Sequence, residues 1–528
     1  MTKPLSPRTR AVRAALESDT QHGAVVPPIH LTSTFAFEGY GRKRTYDYSR
    51  SGNPTRDALA GALAELEGGA GAVVTSTGMA AVALVTQLFQ PGQRAVVPHD
   101  CYGGTYRLFN ALRERGSLDV HFVDYYDASA LAAALALKPA LLWIESPSNP
   151  LLRVVDVARI AADARAAGAL VVADNTFLSP VWQRPLELGA DVVVHSTTKY
   201  LNGHSDVVGG AGAVVTSTGM AAVALVTQLF KPGQRAVVPH DCYGGTYRLF
   251  NALRERGSLD VQFVDYHDQP ALAAALAGKP ALAWIESPSN PLLRVVDVAR
   301  IAADARAAGA LVVADNTFLS PVWQRPLELG ADVVVHSTTK YLNGHSDVVG
   351  GAVIAANREL HDKLAWWANC TGVTGAPFDS YLTLRGIRTL HARMRAHGEN
   401  TASVVECLTK HPAVARVYYP GLATHPGHEV ARRQQQGFGA MVSFELKGGT
   451  ANVEAMLGAL ELFSLAESLG GVESLVAHPA TMTHAAMDPA ARARAGISDT
   501  LLRLSVGIEE ADDLVADLER GLAAATRG

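Results

Sequence analysis

Short apolar runs alternate with amphipathic stretches along most of the chain. From residue 94 onward the segments RAVVPH, VHFVD, ALLWIE, ALVVAD and ADVVVHS are compact and rich in β-branched residues, which predicts strands. Between them, YRLFNALRERG, ALAAALA and VARIAADARAAG carry apolar positions at helical spacing. Nearly continuous apolar strands separated by helices predict an α/β fold with a mostly parallel sheet covered on both faces. Ligands bind such sheets beyond the carboxyl ends of the strands. Asp174, Lys199 and the Glu145-Ser146-Pro147 turn all fall at such ends.

The same pattern then repeats. Residues 71–211 recur as 212–352 with an offset of 141, and only seven positions differ: Gln90/Lys231, His121/Gln262, Tyr126/His267, Ala128/Gln269, Ser129/Pro270, Leu137/Gly278 and Leu142/Ala283. Such near-identity marks a recent duplication and not a solenoid repeat. Gly-Gly-Ala stands at 68–70, 209–211 and 350–352, so a crossover between two such stretches yields this chain, and removing one copy leaves 387 residues. The expected organisation is an N-terminal arm (1–70), two core copies (71–211 and 212–352), a connector (353–380) and a smaller α+β domain (381–528). In that last segment a helix is expected over LTLRGIRTLHARMRAHGENTASVVECL, another near the end, and strands at AMVSFEL and LLRLSVGIE.

Composition narrows the classes. Apolar residues make up 48% of the chain and charged residues 18%, with a net charge of −4, so the chain can bury a large core and has no basic patch for nucleic acid. No apolar run reaches the length of a membrane span, and the first residues lack a signal-peptide core. The four cysteines form no CxxC or Cys/His cluster, which predicts no metal site and a reducing, cytoplasmic setting. A nicotinamide dehydrogenase is excluded because GxGxxG does not follow the first strand.

Several residue types suit carbonyl chemistry. Lys199 and Lys340 each lie in HSTTKYLNGHSD after a buried strand. Partial desolvation there lowers an amine pKa and suits a Schiff base, although a lysine snorkelling from a strand end has the same pattern. Asp174 and Asp315 close the strand ALVVAD, 25 residues before each lysine, where a carboxylate can hold a pyridinium nitrogen or cap a turn. Ser76-Thr77-Gly78-Met79 and Ser217-Thr218-Gly219-Met220 open a helix whose free amides suit a phosphate. Tyr102 and Tyr243, in HDCYGG, can stack on a flat ring or fill the core.

Taken together, YSRSGNPTR, TGMAA, HDCYGGTYR, ESPSNPLLRVVD, ADNTFLSP, HSTTKYLNGHSD, WWANCTGVTGAPFDSYLTLRG, GFGAMVSFEL, FSLAESLGGVESL, HPATMTHA and LLRLSVGIE resemble the cystathionine γ-synthase family of pyridoxal 5'-phosphate (PLP) enzymes, in family order. The resemblance implies the aspartate-aminotransferase-like fold (fold type I), with a mostly parallel seven-stranded sheet, here partly duplicated. It also implies that Lys199 or Lys340 forms the Schiff base with PLP, Asp174 or Asp315 holds the ring nitrogen, and Tyr102 or Tyr243 stacks on the ring. Gly78, Met79, Ser196 and Thr198, or Gly219, Met220, Ser337 and Thr339, would bind the phosphate, helped by Tyr48 and Arg50 from a neighbouring subunit. Arg503 would grip a substrate carboxylate, with Asn149 or Asn290 and Ser468 nearby and Arg107 or Arg248 on an acyl group. The implied reaction is a γ-replacement joining an O-acylhomoserine, O-succinylhomoserine first, to cysteine. The α- and then β-proton leave, the acyloxy group departs, and the thiolate adds. A cystathionine γ-lyase is the alternative, and a misfolded duplication product the non-enzymatic one. The implied assembly is a homotetramer built from dimers. One arm and one C-terminal domain complete one site per chain, with Lys340 favoured because its copy runs into the segment carrying Arg503.

Overall fold

The structure, a computed structural model, describes residues 19–25, 27–201, 214–483, 485 and 496–526. The junction Gly-Gly-Ala at 209–211, the first eighteen residues and the end of the first HSTTKYLNGHSD lie outside the described residues.

The first copy forms strands β1 (Arg94–Pro98), β2 (Asp119–Val123), β3 (Leu141–Glu145), β4 (Leu170–Asp174) and β5 (Val192–Val194), in one parallel sheet of order β2-β1-β3-β4-β5. The second copy contributes β6 (Val214–Thr216), β7 (Arg235–Pro239), β8 (Asp260–Val264), β9 (Leu282–Glu286), β10 (Leu311–Asp315) and β11 (Val333–Ser337), and its last two residues with the three that follow form β12 (Gly351–Ala355). These seven make a sheet of order β6-β12-β11-β10-β9-β7-β8, in which only β12 runs antiparallel to its neighbours. This is the mostly parallel, helix-covered α/β architecture that the apolar pattern predicts.

Near-identical copies thus make unequal sheets, and the cause is one shared stretch of chain. Where the first copy's last strand is expected, Val214 already belongs to β6 of the second sheet. Val73, Val74 and Thr75, the counterparts of β6, pair with no strand among the described residues. The strand β5 is shorter than β11, whose His336 and Ser337 are held by pairing with Ala352 and Gly351 of β12.

Beyond β12, the helix Arg358–Thr371 lies between the copies. Leu364 and Ala368 join the second copy's core, while Cys370 joins the first's. The expected single helix over 382–408 is instead two, Pro377–Ile387 and Leu390–Lys410. The break has a cause: the Gly386 carbonyl accepts from Arg393 Nη2 at 2.7 Å, and Gly386 presses on the Asn343 backbone, where a side chain has no room.

The C-terminal part folds on a five-stranded sheet of order β13-β14-β17-β16-β15 (Val414–Tyr418, Met441–Leu446, Leu501–Ser505, Leu475–Ala477 and Ser464–Leu465). Its core includes Phe444, Leu502, Leu514 and Leu518. The arm before the helix Pro54–Glu67 is extended and adds single bridges, Thr34 with Tyr48 and Ala36 with Ala466. No helix among the described residues is long and apolar enough to cross a membrane.

Candidate active site

At the carboxyl ends of β9, β10 and β11 lies a cavity of about 240 Å³, closed by the arm and the C-terminal domain. Lys340 follows β11 and reaches into it. Its Nζ donates to Ser468 Oγ at 2.8 Å and to Tyr48 Oη at 3.3 Å. Burial, with the Arg503 and Arg50 charges adding to it against Tyr243 and Glu467, pushes its pKa down to about 8.

Asp315 ends β10 and is paired in register with Glu286 at the end of β9. Two carboxyls side by side in a desolvated place cannot both ionise easily. Burial raises both, Glu286 well above the ordinary range with the Asp315 charge adding to it, while hydrogen bonds from Thr317 offset part of the rise at Asp315. The Tyr243 amide donates to Glu286 at 2.9 Å, which locks the start of the helix Gly244–Glu255 over the strand ends.

The helix Gly219–Thr227 points its N-terminus into the cavity, with Thr218 capping Ala221 N. Gly219 lies so close to Ser337 that a Cβ would come within 2.8 Å of the serine Cβ. Only glycine permits that approach, and it leaves backbone amides and the Ser337 hydroxyl at one seat for an anion. Met220, Thr339 and Arg248 also line the cavity, and Arg50 Nη2 donates to Tyr243 Oη at 2.9 Å.

Arg503 rises from the middle of β17, fully buried. Its Nη1 donates to Asn290 Oδ1 at 2.9 Å and its Nη2 to the Ser468 carbonyl at 3.0 Å, while Nε has no partner among the described residues. A buried guanidinium with a spare donor is a seat for a carboxylate. Ser468 links this cation to the Lys340 amine, and it holds a backbone φ of 126°, a strained value for a non-glycine residue.

The first copy's candidates do not reach this cavity. Lys199 is exposed, and its neighbour Tyr200 is 68% exposed against 1% for Tyr341. Tyr102 is exposed, Asn149 is half-buried, and Arg107 turns to Cys370. Some local geometry survives: Gly78 abuts Ser196 as Gly219 abuts Ser337, with Met79 and Thr198 half-buried beside them, and Asp174 is paired in register with Glu145, which burial pushes up to about 8. What is missing is the domain that covers Lys340. Tyr48 and Arg50, expected to serve a neighbouring subunit, line the cavity of the chain that carries them.

Lining residues that the sequence did not single out include Glu286, Thr317, Asp47 and Glu467. Glu286 and Thr317 are legible in hindsight as polar residues at strand ends. Asp47 and Glu467 leave no such mark, since only the packing of arm and C-terminal domain brings them in.

The residues present fit PLP. Lys340 would meet its aldehyde, Asp315 its pyridinium nitrogen and the glycine-lined helix start its phosphate, and all of these line one cavity. The model of the Cys/Met metabolism PLP-dependent enzyme family matches twice, at residues 8–213 and 208–523. Cystathionine γ-synthase of Escherichia coli is 45% identical over 520 residues, 98% of each chain. A cystathionine γ-lyase of Dictyostelium discoideum is 47% identical over 310 residues, 59% of this chain and 80% of its own. Among solved structures, cystathionine γ-synthase from Xanthomonas oryzae pv. oryzae in complex with cystathionine is 45% identical, with a TM-score of 0.59 over 99% of this chain and all of that one. With an amine and a carboxyl group lining one cavity at strand ends and a family model that matches nearly the whole length, this chain belongs to the PLP-dependent enzymes of cysteine and methionine metabolism.

Proposed function

We propose that the chain is a cystathionine γ-synthase: it joins an O-acylhomoserine, O-succinylhomoserine first, to cysteine, giving cystathionine and the free acid. The observation that carries the reading is the Lys340–Ser468–Arg503 connection, which sets an amine and a carboxylate seat side by side, as an α-amino acid requires. Bound PLP supplies an electron sink for carbanions at the substrate carbon skeleton.

The chain's own residues do the rest. Arg503 takes the α-carboxylate through its unpartnered Nε and fixes the α-carbon over the strand ends. Lys340 Nζ, with its pKa near 8, accepts and returns protons close to neutral pH, where an ordinary lysine stays charged. Asp315 holds a positive ring nitrogen, and Tyr243, steadied by Arg50, lies beside the helix N-terminus. Arg248, on the rim beyond Tyr243, suits the carboxylate of a succinyl group. The buried, covered cavity keeps water from competing with the thiolate. The free state of all four cysteines among the described residues supports a reducing, cytoplasmic setting.

Lys340→Ala is expected to lose the visible absorbance of bound PLP and on the order of 10³-fold or more of cystathionine formation. Lys199→Ala should keep both. Activity that vanishes with Lys199 and survives loss of Lys340 sinks the site assignment. The 47% identity to a γ-lyase favours one second reading, the breakdown of cystathionine. Ketoacid release from cystathionine that outruns succinate release from O-succinylhomoserine selects it.

A further inference from the structure

Contacts between the two copies come in reciprocal pairs. Arg115 Nη1 donates to the Gln228 carbonyl at 3.1 Å and to its side-chain oxygen at 2.9 Å. Arg256 Nη1 donates to the Gln87 carbonyl at 3.2 Å and to its side-chain oxygen at 2.9 Å. Arg256 stands where Arg115 does in the repeat, and Gln228 where Gln87 does. A surface that meets its own equivalent, each contact answered by its mirror, defines an isologous interface about a local twofold axis. Phe89 and Phe230 line the cleft between the copies in the same reciprocal way.

The arm crosses this axis. Its helix, Pro54–Glu67, packs on the first copy, where Asn175 Nδ2 donates to Glu67 Oε1 at 3.2 Å. The residues immediately before it leave that copy. Arg50 bonds Tyr243 and Tyr48 accepts from Lys340, both in the second copy's cavity. Further out, Ser33 N donates to the Ser346 carbonyl at 2.7 Å, and Ala36 bridges Ala466 of the C-terminal domain.

We infer that the first copy is a built-in partner: it docks on the second through the twofold face and delivers Tyr48 and Arg50 in cis, so that one chain holds one complete site. This rests on the reading above for what the cavity does, but on contact geometry alone for which chain builds it. Lys199 then has no catalytic task, and the twofold face is occupied within the chain.

Two measurements test it. Ala36 and Ala466 face each other across an antiparallel bridge, a spacing of about 4.5–5.5 Å that accommodates a disulfide. The oxidised Ala36→Cys/Ala466→Cys chain is expected to run on a non-reducing gel at single-chain mass. A dominant band at twice that mass means exchange of arms between chains and overturns the inference, as does the absence of any new disulfide. The second measurement pairs two inactive chains, Lys340→Ala and Tyr48→Phe/Arg50→Ala, co-expressed and assayed together. Supply in cis leaves the mixture inactive, whereas supply between chains restores roughly a quarter of unmodified activity by random pairing. Full activity of the Tyr48→Phe/Arg50→Ala chain alone also overturns the inference. If the unmodified chain makes no cystathionine, the functional reading fails, and the gel still decides who supplies the arm.

Discussion

Lys340 and Lys199 occupy the same place in the same twelve-residue segment, yet Lys199 is exposed and Lys340 is half-buried in the cavity wall. Their chemistry therefore differs by environment and not by neighbours in sequence. Burial disfavours the ammonium form, and the charges of Arg503 and Arg50 add to that. An amine attacks an aldehyde only when neutral, and its neutral fraction rises as pH climbs through its pKa. Chain stripped of PLP should therefore regain colour at a rate that rises with pH and is half-maximal near pH 8. Replacing Arg503 by Gln removes one of the charges that lower the pKa, so the midpoint should move upward. A midpoint that stays put shows that Arg503 does not act on the amine. Ser468 illustrates the limit of reading residues singly, since neither its strained backbone nor its place between Lys340 and Arg503 is visible in a polar residue among many.

At the level of elements, strands were legible and their partners were not. Every apolar run that predicts a strand from residue 94 onward forms one. Yet β6 pairs with β12 and with the chain at Thr374, whereas Val73–Thr75 carry the same residues and pair with no strand among the described residues. An unpaired amide exchanges with solvent freely, whereas a laddered one waits for local opening. Amides at 214–216 should exchange on the order of 10²-fold or more slowly than those at 73–75 in hydrogen-exchange mass spectrometry. Peptides reaching Gln90 or Lys231 distinguish the two copies. Equal rates would show that the first sheet recruits a strand after all. The break before Leu390 follows the same logic: helical periodicity runs through it, and the Gly386 carbonyl is taken instead by Thr389 and by Arg393, which comes from the next helix.

On the scale of the whole molecule, duplication creates a controlled comparison. Trp323 is 8% exposed beneath the C-terminal domain, against Gly437 and Gly398, while its counterpart Trp182 is 82% exposed. Leu152 and Val154 are likewise exposed where Leu293 and Val295 are buried. The Trp323→Ala change should cost about 3–5 kcal/mol of stability, read as a lowered urea midpoint. Trp182→Ala should stay within about 0.5 kcal/mol and reduce self-association, because it removes apolar surface that nothing covers. A large midpoint shift for Trp182→Ala would mean that a second C-terminal domain covers the first copy.

By itself, the sequence determined the local and the chemical: strands from apolar runs, helices from their periodicity, the repeat, and the residue types suited to PLP. These follow from interactions within a few residues, or from a direct match of one segment with another, so they survive without coordinates. Which copy's lysine lies in the cavity, and that Tyr48 and Arg50 line it beside Lys340, only the tertiary structure decided. Two copies that agree at all but seven positions carry nearly the same local information, so nothing local can separate them. They differ in what packs against them, and burial, which sets the lysine's pKa and closes the cavity, belongs to contacts between parts of the chain far apart in sequence.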